Sequence, residues 1–204
     1  MACQFDKRIP ELAVTLTKLY GNATIADIKS GIAWYPKARA IVNEWSTHYG
    51  VSRETVACVI AALSPQNEWT RNLIQADDIL AQRPVSIGGI HTNIVKAQRI
   101  LYDGATSTLA YFPQGPKVAS FALNLAGNDT AVTVDTHASQ AALGSTLRTY
   151  GLSWQPYMCF AAAYEIAAQR VGRQSAEFQA ILWHTWKRLH PPEAKRADIR
   201  RAKR

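Results

Sequence analysis

Cysteine is scarce. Cys3, Cys58 and Cys159 lie far apart with no CxxC pair, and the histidines (His48, His91, His137, His184, His190) show no zinc-type spacing. No metal and no cofactor is therefore expected. Cys58 and Cys159 sit in apolar stretches and read as reduced core residues. Long hydrophobic runs are missing too: none approaches the roughly 18 residues of a membrane span. Met1 to Lys7 carries charge early with no apolar stretch behind it, so no signal peptide is read, and a cytoplasmic protein without a membrane partner is expected. Internal repeats and low-complexity segments are absent.

Acidic residues are the minority. Fifteen Asp and Glu face 23 Lys and Arg, a net charge of +8. A basic domain of this size suits a polyanion, with nucleic acid the first candidate. Part of the excess is terminal: residues 193–204 hold Lys195, Arg196, Arg200, Arg201, Lys203 and Arg204 against Glu193 and Asp198, a net of +4. Such a tail either adds salt-dependent attraction to phosphates or is only a solvated end. The 204 residues suffice for one domain with a proper core. Residues 1–192 read as that domain, 193–204 as a basic tail, and the chain as a monomer.

What is present is helical periodicity. Pro36 to Tyr49 places Ala38, Ile41, Val42 and Trp45 on one face and stops at Gly50. Ser52 caps a run to Leu63. After a break at Ser64-Pro65, helices are read over Glu68–Gln82 and Asn93–Tyr102, the latter closed by Gly104. Gly115, Pro116 and Gly127 punctuate another, as N-cap, first helical residue and stop. Thr130–Val134 reads as extended. Asp135 then caps a helix to Leu143, ended by Gly144, and Trp154–Arg170 and Ser175–Leu189 follow. In the last, Phe178, Ile181, Leu182, Trp186 and Leu189 recur at helical spacing and read as core. The fold class is all-α: a bundle of short helices with tight turns.

Two residues stand where chemistry is available. Lys117 falls in the first turn of an otherwise apolar helix, where the helix dipole disfavours an ammonium. Partial burial acts the same way and leaves more free amine as a nucleophile. A lysine is otherwise a solvated surface charge. Asp135, in Val134-Asp135-Thr136-His137, is at least an N-cap. Geometry allows more. The helix from Pro116 to Ala126 is about 16 Å long, and the return from Asn128 to Val134 covers roughly 23 Å if extended. The chain can come back to set Asp135 beside Lys117, with two helix N-termini facing one point. His137 either touches substrate, orients Asp135, or bonds to nearby backbone, the commonest role for a histidine in a first turn.

Gly115-Pro116-Lys117-Val118-Ala119, with Asp135 of the VDTH sequence eighteen residues after the lysine, resembles the helix-hairpin-helix–GPD superfamily of DNA glycosylases, of which endonuclease III is the best-known type. Upstream, Ala61-Ala62-Leu63-Ser64-Pro65-Gln66 is similar to the family's helix end bearing a glutamine that enters the DNA stack. Gly89-Ile90 with Asn93 to Leu101 is similar to its glycine-led helix before the hairpin. The resemblance spans residues 53–144 and keeps the order of elements. The hairpin reads Phe112-Pro113-Gln114-Gly115, with one glycine where the family commonly has two, and Pro116 lacks an N–H donor. The four-cysteine iron–sulfur cluster has no ligands here.

The resemblance implies a fold, a partner and a chemistry. The partner is double-stranded DNA, contacted by the hairpin through Gln114 and Gly115 and at the target by Gln66, Asn67 and His137. Gln66, with Asn67, fills the gap as a nucleotide swings out. Lys117 attacks the sugar C1′ as the base leaves, giving a Schiff base and a route to strand cleavage at the abasic site. Asp135 stabilises the developing cationic sugar or assists proton transfer. Gly31-Ile32-Ala33-Trp34-Tyr35-Pro36 has no counterpart in endonuclease III and keeps two alternatives open: a base-modifying transferase on a glycosylase-like fold, and a non-catalytic DNA-binding protein. Exposed Trp34 and Trp69 without DNA affinity would instead indicate a helical interaction module.

Overall fold

The computed structural model describes residues 6–104, 112, 115–147 and 151–191. Among these, a 3-10 turn at Asp6–Arg8 precedes nine α-helices: α1 (Ile9–Tyr20), α2 (Ile25–Tyr49), α3 (Arg53–Leu63), α4 (Trp69–Leu80), α5 (His91–Asp103), α6 (Pro116–Ala126), α7 (Thr136–Leu143), α8 (Trp154–Arg170) and α9 (Ser175–Leu189). The fold is all-α, as the periodicity requires. Gln114 and the 193–204 tail lie outside the described residues. No described helix is long and apolar enough to cross a membrane.

Local signals set most boundaries. The Ser52 side chain accepts from the Thr55 N–H at the start of α3, and Asp135 accepts from the Ala138 N–H at the start of α7. Gly127 and Gly144 close α6 and α7 in left-handed conformations. One boundary is corrected. A helix beginning at Pro36 is expected from the sequence, yet α2 begins at Ile25, where Thr24 and Asp27 form a reciprocal capping box. Pro36 removes one helical hydrogen bond, to the Ile32 carbonyl. Both residues are exposed, so water can take that carbonyl and the helix continues. The structure also adds α1, which the pattern above leaves out.

Two apolar clusters build the core. One gathers α3 with the inner faces of α2, α4, α5 and α6 around Val42, Val59, Ile60, Ile100 and Leu125. The other gathers α1, α7 and α8 with the 132–134 segment around Leu16, Val134, Phe160 and Tyr164. Helix α9 serves both: Ala176 and Ala180 face the first, and Phe178, Leu182 and Trp186 face the second. Leu189, expected in the core, is 42% exposed at the end of α9, past the last turn that the second cluster covers. Helices α2 and α9 run in close contact because Gly31 has no side chain. A Cβ there would lie 2.5 Å from the backbone of Ile181. Cys58 and Cys159 are buried. Beside the first cluster, at α9, a cavity of about 530 Å³ opens to solvent, lined in part by Tyr35, Phe121 and Ala180 of that cluster.

Candidate active site

The 132–134 segment carries Asp135 to this cavity, and it does so without a sheet. Its buried backbone groups need partners, and side chains supply them. The Tyr157 hydroxyl donates to the Val132 carbonyl at 2.6 Å and accepts from the Val134 N–H at 3.0 Å. Burial, with smaller opposing hydrogen bonds, pushes the Tyr157 phenol up to about 12, so it remains a donor at neutral pH. Asn124, fully buried on α6, donates through Nδ2 to the carbonyls of Asn128 and Ala131, both at 2.8 Å. Its Oδ1 accepts from Thr133 Oγ1 at 2.8 Å. The return path that chain length merely permits is thus fixed by α6 on one side and α8 on the other.

At its end, both oxygens of Asp135 are held. Oδ1 accepts from the Ala138 N–H at 2.7 Å, and Oδ2 accepts from Trp183 Nε1 at 3.1 Å. The aspartate is a helix cap and an oriented carboxylate at once. Lys117, half-buried at the second residue of α6, lines the same cavity. No side chain caps the N-terminus of α6. The structure therefore brings Lys117 and Asp135 to one concave site.

Tryptophan makes the wall. Trp34 of α2, Trp69 of α4 and Trp183 of α9 all line the cavity. Trp34 packs on Trp69 at 5.2 Å between ring centroids. It also lies nearly parallel to Trp183, 6.2 Å away with 22° between the planes. Lys187 sets its ammonium 3.9 Å from the centre of the Trp183 ring. Burial, then the Lys187 charge, pushes the His184 imidazole below its usual range, so it is neutral at pH 7. Deeper in the cavity lie Asn72 and Gln179, with Tyr35 behind them. The Tyr35 hydroxyl makes long hydrogen bonds, 3.4 Å to Thr133 Oγ1 and 3.3 Å to Gln179 Oε1. Since Trp34 and Trp69 are half-buried in this wall, they are not the exposed aromatics of an interaction module.

The other expected site residues surround the cavity without all entering it. Asn67 lines it and also an adjoining recess, and its Nδ2 donates to Gln75 Oε1 at 2.7 Å and the Leu63 carbonyl at 3.1 Å. Gln66 lines only the recess; it is exposed, with a positive φ of 56°. A left-handed conformation is unfavourable for a non-glycine residue and projects its side chain from the α3–α4 turn. Gly115 lines a third hollow, with Phe112 and Lys96. His137 sits behind the wall, its ring 6.2 Å edge-on from Trp183. Sequence reasoning missed Asn72, Gln179, Trp183 and Lys187. Only the Trp34-Tyr35 pair gave a signal, as a motif without an assigned place.

Comparison with known proteins assigns the chain to a family: residues 5–190 match the model of a family of unknown function (DUF7178), to which the protein belongs. No curated protein and no solved structure matches it.

Proposed function

We propose that this member of the family is a DNA-binding enzyme that acts on a nucleotide swung out of the duplex, as a DNA glycosylase with abasic-site lyase activity. One observation carries the reading: an amine, an oriented carboxylate and three tryptophans converge on a single cavity. Its volume, about 530 Å³, falls in the range of ligand sites, roughly 300–1,000 Å³. Tryptophan faces stack on bases whatever their sequence. The net charge of +8 favours a polyanionic substrate. The exposed Gln66, in the recess that shares Asn67 with the cavity, is suited to fill the vacated stack.

The chemistry follows from an amine and a carboxylate. Lys117 Nζ, having given its ammonium proton to water, attacks C1′ of the everted nucleotide as the free amine. The bond from C1′ to the base breaks, its electron pair leaves with the base, and water supplies the proton the base takes up. Asp135 faces the positive charge that develops on the sugar. Its two hydrogen bonds fix the carboxylate beforehand, so little reorganisation is needed at the transition state. Proton loss from the amine and opening of the sugar give a Schiff base. The test is borohydride trapping on a duplex with an abasic site. Wild type forms a covalent adduct and Lys117→Ala does not. An adduct that persists in Lys117→Ala overturns the role of Lys117.

A base-modifying transferase is the second reading. Lys187 and the neutral His184 at the same cavity favour it, since they offer a cation and a base for a second substrate. DNA binding without any adduct selects it over the lyase. A non-catalytic binder is selected if no product forms and Lys117→Ala changes affinity only modestly.

A further inference from the structure

Asn72 and Gln179 are buried polar residues that the chemistry above leaves unused. Asn72, 2% exposed on α4, donates through Nδ2 to the Ile60 carbonyl at 3.1 Å. That bond fixes the amide, and the remaining end, Oδ1, is buried with no hydrogen-bond partner. Folded proteins rarely leave a buried acceptor in that state, because it has lost its water and gained nothing. Gln179, 5% exposed on α9, has the opposite end engaged: its Oε1 accepts from the Tyr35 hydroxyl at 3.3 Å. Its Nε2 bonds to no other described residue. Both residues line the tryptophan-walled cavity. Gln179 therefore offers that cavity a donor, and Asn72 holds an unsatisfied acceptor beneath its wall.

Resting on the proposal that an everted base occupies this cavity, we infer that Gln179 Nε2 binds the base edge, joined by Asn72 Oδ1 as the base displaces the side chains covering it, and that the two select which base is accepted. The ligand is a flat heterocycle with a ring or exocyclic N–H beside a carbonyl or ring nitrogen, and a nucleobase edge has this composition. The tryptophans bind the faces of any base alike, so stacking gives affinity and the two amides give choice. A site with committed polar groups discriminates strongly, because a ligand lacking the matching group leaves them unpaired.

The experiment uses the full chain and short duplexes with one target nucleotide opposite a simple alkyl spacer, which has neither a base to pair nor an aldehyde to react with Lys117, so that no base pair has to be broken. Targets are the four natural bases and difluorotoluene, which copies the shape of thymine without its hydrogen bonds. A neighbouring 2-aminopurine reports eversion by its fluorescence. The expected result is that at least one natural base binds about tenfold or more tightly than difluorotoluene. Gln179→Met closes that gap, and Gln179→Glu, which turns the donor into an acceptor, changes which natural base ranks first. If fluorescence rises but difluorotoluene binds as well as every natural base, the edge reading is overturned and the base cavity stands. If Gln179→Met and Gln179→Glu both fold and keep the wild-type ranking and gap, the selecting role is likewise overturned. If fluorescence rises for no target, the proposal of an everted base falls, and this inference falls with it.

Discussion

At the scale of single residues, Asp135 carries two duties that substitution can separate. It caps α7 through Oδ1 and meets Trp183 through Oδ2. Asparagine caps helices about as well as aspartate, whereas alanine loses about 1 kcal/mol. Asp135→Asn keeps the cap but sets an amide NH₂ against the Trp183 N–H, so it should destabilise by about 1 kcal/mol, the worth of one hydrogen bond, while slowing the covalent step by on the order of 10²-fold or more, the usual scale for a positioned acid–base or charged group. Asp135→Ala should slow it as much and cost about 1 kcal/mol more, because the cap is lost as well. Urea titration paired with single-turnover trapping reads both quantities. Equal rates for wild type and Asp135→Asn would reduce Asp135 to a plain cap.

Between elements, the contact of α2 with α9 governs the shape of the site, since α2 brings Trp34 and Tyr35, and α9 brings Gln179 and Trp183. Gly31→Ala forces a methyl group against the Ile181 backbone, which cannot turn away as a side chain can. The expected cost is about 1–3 kcal/mol, as for other overpacked cores, and calorimetry should show a lower Tm. The same pair of helices is tied at one end by charge. Arg188 Nε donates to Asp27 Oδ2 at 2.8 Å, and Thr24 donates to the same oxygen through both its N–H and its hydroxyl at 2.9 Å. Burial raises the Asp27 pKa, but the hydrogen bonds from Thr24 and Arg188 together outweigh it and hold the carboxyl below its usual value. A carboxyl held low in the folded state binds fewer protons there than in the unfolded chain. Its contribution is thus complete above about pH 4, near the unfolded value. It is lost as pH falls through the folded value. Stability measured between pH 6 and pH 3 should fall less steeply in Asp27→Asn than in wild type. An unchanged slope would show that Asp27 does not set this dependence.

For the molecule as a whole, charge should govern binding and the cavity should govern chemistry. Each phosphate neutralised releases counterions and adds about 0.9 to the slope of log affinity against log salt. Removing residues 193–204, with their net +4, should lower affinity for any duplex and reduce that slope by about 1 or more. Trapping of DNA already bound should keep its rate, because the described residues that line the cavity run from Trp34 to Lys187 and include both Lys117 and Asp135. A slope that does not change would make the tail a solvated end.

The sequence by itself determined the helices from α3 onward, with the caps at Ser52 and Asp135 and the stops at Gly127 and Gly144, because these depend on residues within one turn of each other. Ser52, Asp135, Gly127 and Gly144 act locally, so their neighbours are enough to identify them. It also determined that Lys117 and Asp135 could meet, since helix length and return length are sums over the chain. It did not reveal that α2 runs through Pro36, because the cost of that proline depends on which side of the helix faces water. Nor did it reveal the tryptophan wall or the paired amides. Trp34, Trp69, Asn72, Gln179 and Trp183 come from three helices far apart in sequence, and each reads alone as an ordinary helical residue. Only packing turns them toward one space: Gly31 admits α9 against α2, Tyr157 and Asn124 hold the return segment, and the cavity opens where α2, α4 and α9 meet the ends of α6 and that segment.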